Sequence, residues 1–118
     1  MKVLIDTDKL IDIEKGVEEL PEAENYISVI TLYEYIRGRI DYEEAKRVLE
    51  DAFTVLPLSN DVLVKATEIW RDLKLKGYVI DDRDLLIGAT AIVHGLKLHT
   101  RNYKHFERLV QYGLEFYT

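Results

Sequence analysis

Cysteine is absent from the 118 residues, and with it go disulfides, thiolate metal sites and cysteine nucleophiles. Proline occurs twice, at widely separated positions, and no Pro/Gly-rich linker, internal repeat or low-complexity run divides the chain. No apolar run approaches the roughly 20 residues of a membrane span. The opening MKVLIDTDKLIDIEKG carries acids inside its apolar stretch, unlike a secretory leader. Basic residues are outnumbered, 16 Lys and Arg against 22 Asp and Glu: the formal net charge is −6, which alone argues against generic nucleic-acid binding. With 47% hydrophobic and 32% charged residues, the composition is that of an ordinary globular domain. The reading is one domain over 1–118, off the membrane and in the cytoplasm.

Hydrophobic patterning alternates between strand and helix. Residues 2–6 read as a short buried strand, and TDKLIDIEKG as a short helix closed by Gly16. NYISVI reads as a second strand, TLYEYIRGR and DYEEAKRVLEDAF as helices, and TVLPL as a third strand. SNDVLVKATEIWRDLKLKG is amphipathic, with a stripe at 62, 66, 69, 70 and 73, a cap at Ser59 or Asn60 and an end at Gly77. DDRDLLIGATAIVHG has no charge from 85 to 93, as expected of a helix buried on most sides. LKLHT, NYKHFERLVQYG and LEFY complete the pattern as strand, helix and strand. Such alternation predicts an α/β domain with a mostly parallel central sheet. Its functional crevice then lies beyond the carboxyl ends of the strands, where Asp6–Asp8 and Thr100–Asn102 would meet.

Three acids stand where charge is costly unless compensated. Asp6 ends a buried strand, Glu34 lies among the aromatics of TLYEYI, and Asp84 opens the uncharged helix. Each has a structural explanation. Asp6 can cap a helix. Thr31 and Glu34 have capping-box spacing. Asp81 or Asp82 can cap the buried helix, with Asp84 in its first turn beside the dipole. Together, though, Asp6 with Asp8 and Asp81, Asp82 and Asp84 oversupply the caps. Converging carboxylates demand a proton or a cation, and an all-oxygen set suits Mg²⁺ or Mn²⁺, able to activate water and to stabilise phosphoryl charge. Residues 94–108 reverse the charge balance, with Lys97, Arg101, Lys104, Arg108 and all three histidines against Glu107 alone. This strip is either a solvated face or a polyanion contact.

VLIDTDKLID, ISVITLYEYIRG and DLLIGATAIVHGLKLHTRNYKHF together resemble the PIN domain, in particular its VapC-type toxin ribonucleases, over nearly the whole chain. The resemblance implies a three-layer PIN-like fold and a Mg²⁺- or Mn²⁺-dependent endoribonuclease, the toxin of a toxin–antitoxin pair, cleaving RNA with metal-activated water. Asp6, Glu34 and Asp84 match the family's metal-binding acids, and Asp82 is an additional candidate. Asn102 stands where many relatives carry a fourth acid, and Asp8 where the family usually has Asn. Thr100 is a candidate to orient Asp6 or the water. Arg101, Lys104, Arg37 and Arg83 become candidate RNA contacts, although Arg37 and Arg83 can equally pair with the surplus acids. A homodimer and an antitoxin partner are also implied, the latter silencing the site with an arginine set among uncompensated carboxylates. Tyr33, Tyr35, Tyr42, Phe53 and Trp70 exceed what a small domain readily buries, in keeping with interfaces.

Two alternatives follow from the same residues. One is a non-catalytic binding module for RNA or protein on this fold, which loss of any of the three acids would have favoured. The other is a haloacid dehalogenase-like phosphatase, whose DxDxT/V start Asp6-Thr-Asp8-Lys-Leu10 echoes. Leu10 breaks that motif, and the chain is short for that fold.

Overall fold

The computed structural model describes residues 1–118. Val3, Leu4 and Ile5 of strand β1 (Lys2–Ile5) are fully buried. Successive side chains of a strand point to opposite faces, so a strand buried throughout needs cover on both sides. It has that cover. Val3 and Ile5 pack with Leu10, Ile27, Leu32 and Leu49, whereas Leu4 joins Val62, Ile69, Leu73, Leu85 and Ile87 on the other side.

In chain order β1 is followed by α1 (Thr7–Glu14), β2 (Glu24–Ser28), α2 (Val29–Ile36), α3 (Tyr42–Ala52) and β3 (Thr54–Leu56). Then come α4 (Asn60–Leu75), α5 (Asp82–His94), β4 (Lys97–His99), α6 (Tyr103–Phe106), a 3₁₀ segment over Glu107–Tyr112 and β5 (Glu115–Phe116). The five strands lie in the order β3-β2-β1-β4-β5, and every pairing is parallel. Leu4 is in register with Tyr26 on one side and Leu98 on the other. The chain moves outward from β1 through β2 to β3, then returns to place β4 against the opposite edge of β1. That reversal opens a crevice at the carboxyl end of β1, as open α/β sheets do at such points.

Most elements lie where periodicity predicts them, with three differences. Val29 and Ile30, expected to finish the second strand, begin α2 instead. Ser28 accepts a hydrogen bond from the Ile30 amide at 3.1 Å and starts the helix there. Thr31 is therefore an interior, buried helical residue, and the Thr31–Glu34 capping box does not form. The last helix is a single α-turn continued as 3₁₀, closed by Gly113 at φ 106. In α4 the stripe residues Val62, Ala66, Ile69 and Leu73 are buried, while Trp70 stays 42% exposed. Residue 70 lies one step beyond 69 on the helix and so projects toward the rim.

Gly88 fixes how α5 sits. A Cβ there would lie 2.3 Å from Leu109 Cδ1 and 3.8 Å from Phe106, both fully buried. The glycine lets the segment after β4 press against α5 one turn from Asp84. Gly88→Ala should lower stability by about 1–3 kcal/mol through overpacking, although alanine favours helix by about 1 kcal/mol. Gly38→Ala, with nothing within 4 Å of the added carbon, is the control and should change stability by less than about 0.5 kcal/mol. Urea unfolding midpoints check both, and equal effects would contradict this account of Gly88.

Candidate active site

Asp6 follows β1 directly, and its amide still bonds the His99 carbonyl of β4 at 2.9 Å. The residue is thereby held at the sheet edge, with its side chain 1% exposed. Asp6 Oδ2 accepts from Thr100 Oγ1 at 2.9 Å. Oδ1 accepts from the Thr7 amide at 2.8 Å, the α1 cap expected of it. The cap and the site position are thus compatible. Glu34 reaches the same place from α2, where Thr7 Oγ1 donates to its Oε1 at 2.6 Å. Asp84 comes from the first turn of α5.

These three carboxylates surround one guanidinium. Arg83 Nη2 lies 2.8 Å from Asp6 Oδ1, Nε 2.7 Å from Glu34 Oε2, and Nη1 2.9 Å from Asp84 Oδ1. Nη2 also donates to Glu34 Oε1 at 2.9 Å, making the Glu34 contact two-pronged. Of the two roles open to Arg83, the structure shows acid pairing. The acids are consequently not left uncompensated, which corrects the expectation of a bare anionic crevice awaiting a partner's arginine.

The electrostatics follow from this geometry. Burial raises the Glu34 pKa, but hydrogen bonds from Arg83 and Thr7 outweigh it and the net shift is downward. Burial also opposes the charge on Arg83, yet Glu34 and Asp6 hold it firmly protonated. At Asp84 burial wins over Arg83 and the pKa rises. Asp8 rises as well, through burial and then the charge of Asp6.

Asp8 and Asn102, the two departures from the family pattern, face each other. Asn102 Nδ2 donates to Asp8 Oδ2 at 2.9 Å, and the Arg101 amide joins at 3.1 Å. Asp8 Oδ1 is buried without a partner. Asn102 thus braces Asp8, and its amide nitrogen bonds Thr100 Oγ1 at 3.1 Å. Asp82 is exposed and lies elsewhere, on an apolar hollow with Leu63, Ala66, Thr67, Trp70, Leu85 and Leu86. It has no hydrogen bond or ion pair with the other acids. Asp81 occupies the α5 N-cap position without a side-chain cap bond.

A cleft of about 270 Å³ adjoins Asp84, lined by Asp81, Lys104, His105 and Arg108 together with Val79 and Ile80. His105 Nδ1 stands 3.4 Å from Asp84 Oδ2. Lys104 lines the same cleft as Asp84. Arg101 is 58% exposed and pairs loosely with Asp12 at 3.5 Å, and Arg37 is exposed over the Tyr33 ring at 5.4 Å. Sequence reasoning gave Thr7 no role in the site and named His105 and Arg108 only as members of the basic strip. The middle residue of DTD was the available signal for Thr7. For the other two, the basic strip gave composition but no register.

The Arg83 guanidinium lies among the three carboxylates, and as positioned no three acids or histidines are arranged to share an ion. The donor set nevertheless fits a hard cation. It is all oxygen, and three carboxylates already converge on one cationic group. Asp6, Glu34 and Asp84 are the residues that would hold Mg²⁺ or Mn²⁺.

The arrangement is that of an α/β domain with three acids at the carboxyl edge of a five-stranded parallel sheet. The PIN-domain family model matches residues 3–111, and the chain belongs to that family. Its likeness within the family is to the VapC type. It is 38% identical to ribonuclease VapC1 of Methanocaldococcus jannaschii over 98% of this chain and 87% of that protein. It is also similar to two solved structures. One is DNA-bound VapBC from Salmonella typhimurium (27% identity, TM-score 0.79, covering 99% of this chain and 97% of that one). The other is VapBC-1 from nontypeable Haemophilus influenzae (25% identity, TM-score 0.78, covering 99% and 97%).

Asp8→Asn gives a pH-dependent test of the site's charge. The folded-state pKa of Asp8 is raised, so its ionised form opposes folding above that pKa and the penalty vanishes below the unfolded value. The variant should be more stable than the parent at pH 7, by on the order of 1 kcal/mol or less, and the gain should disappear near pH 3–4. Melting curves across that range check it; a gain that grows on acidification would contradict it.

Proposed function

We propose that the chain is a Mg²⁺- or Mn²⁺-dependent endoribonuclease acting as the toxin of a VapBC-type pair. The observation that carries this reading is the convergence of Asp6, Glu34 and Asp84, from three separate parts of the chain, on the one guanidinium of Arg83. The names of the relatives support RNA as substrate and an antitoxin as partner.

Each residue has a physical task. Asp6 and Glu34 are held by Thr100 and Thr7, and Asp84 by the first turn of α5. A bound Mg²⁺ or Mn²⁺ would supply Lewis-acid charge for a phosphoryl oxygen and acidify water for attack. Lys104, His105 and Arg108 line the cleft beside Asp84 and bind the phosphates that flank the cleaved bond. Arg101 and Arg37, both exposed, extend that contact along the RNA. Thr100 acts through Asp6 and is a positioning residue, as Asn102 is through Asp8.

Asp6→Asn removes one cation ligand while keeping a side chain able to accept from Thr100. RNA cleavage in Mn²⁺ should fall by at least about a hundredfold, with the fold intact by circular dichroism. Chelator should abolish cleavage by the parent. Full activity in either case would overturn the reading.

The partners are proposed on exposed apolar surface. Tyr33, Tyr42 and Trp70 are 60%, 51% and 42% exposed, while Tyr35 and Phe53 are partly buried against the core. Trp70 borders the hollow between α4 and α5, a suitable seat for an apolar antitoxin segment. The toxin would work as a homodimer in the cytoplasm, and no helix is long and apolar enough to cross a membrane. Sedimentation at micromolar concentration should give a dimer, and a clean monomer there would refute that part.

A further inference from the structure

Arg83 meets all three acids at once: Nη2 with Asp6 and Glu34, Nε with Glu34 again, and Nη1 with Asp84. We propose that Arg83 is the resident counter-ion of this cluster and that a divalent cation enters only by displacing its guanidinium. The inference rests on the metal-binding reading of the same acids and adds what occupies their centre before the metal arrives.

The argument is spatial first. The guanidinium of Arg83 occupies the point on which the three carboxylates converge, with a nitrogen 2.7–2.9 Å from an oxygen of each. The acids can close on a small divalent ion, with ligand distances of about 2.0–2.1 Å for Mg²⁺, only once the guanidinium has left. Charge points the same way. Three carboxylates and one guanidinium leave a net −2, and a divalent ion added beside the arginine would face a like charge in a partly buried setting, where repulsion is poorly screened.

Exit is also feasible. Asp6 is 1% exposed but Arg83 is 30% exposed, and Arg83 sits in the first turn of α5, at the open edge of the sheet. Its long side chain can turn to solvent without moving the helix. The contacts that hold it are hydrogen-bonded ion pairs, whose acid partners a metal would satisfy instead. A purely structural salt bridge would stay in place when metal binds, so the two roles differ in a measurable way.

The test compares Mn²⁺ binding to the metal-free parent and to Arg83→Gln by isothermal titration, with a second readout on the parent alone. Removing the competing charge should tighten Mn²⁺ binding by at least about tenfold. In the parent, the Arg83 Nε–H nuclear resonance, bonded to Glu34 in the metal-free state, should move to the position of a solvated arginine as Mg²⁺ saturates the site. This second readout stands even where Arg83→Gln fails to fold without metal. Equal or weaker Mn²⁺ binding by a folded variant, or an Nε–H signal unchanged at Mg²⁺ saturation, would overturn the proposal while leaving the acids as a metal site. No Mn²⁺ binding by either protein would overturn both.

Discussion

Like-charge repulsion among Asp6, Glu34 and Asp84 is the constraint around which the carboxyl edge of the sheet is organised. Three carboxylates that approach one point and leave water require a cation. Arg83, the residue immediately before Asp84, provides one. The surrounding groups serve the same end. Thr100 and Thr7 donate to Asp6 and Glu34, and the first turn of α5 offers Asp84 the favourable end of the helix dipole.

Packing farther away decides whether these groups meet at all. Asp6 is positioned by β1, whose three buried residues are clamped by helices on both faces. Asp84 depends on the seat of α5, which the Gly88–Leu109 approach brings close to the segment after β4. That segment carries Thr100, Asn102, Lys104 and His105. A single backbone return from α5 through Gly95, at φ 65, therefore delivers both the brace of Asp6 and the basic wall of the cleft. The acids and the basic side chains of the cleft share a scaffold, so a core change near Gly88 would disturb both.

Much of this was legible in the sequence, for identifiable reasons. Alternation of apolar strands with amphipathic helices has a strong periodic signal, and it predicted the parallel sheet and the meeting of Asp6–Asp8 with Thr100–Asn102. Boundaries were less legible where apolar residues run across a junction. Val29 and Ile30 suit strand or helix equally, and the Ser28 hydroxyl decides the matter by capping. The Thr31–Glu34 spacing satisfied a local rule, but Glu34 is drawn instead to Thr7 and Arg83, partners 27 and 49 residues away. Long-range partners of this kind leave no local signature. Arg83 was open to two roles for the same reason, because only the folded chain places Asp6 and Glu34 within its reach. The pairing of Asp8 with Asn102 was hidden similarly: each looked like a separate departure from the family's pattern, and only their contact shows one bracing the other.

The central claim is that Asp6, Glu34 and Asp84 form a single cation position, filled by Arg83 until metal enters. Anomalous X-ray diffraction from Mn²⁺-soaked crystals at neutral pH tests it most directly. The account predicts one strong peak within ligand distance of all three carboxylates, with the Arg83 side chain withdrawn toward solvent. A manganese peak elsewhere, or a guanidinium still seated among the acids in manganese-saturated crystals, would contradict it.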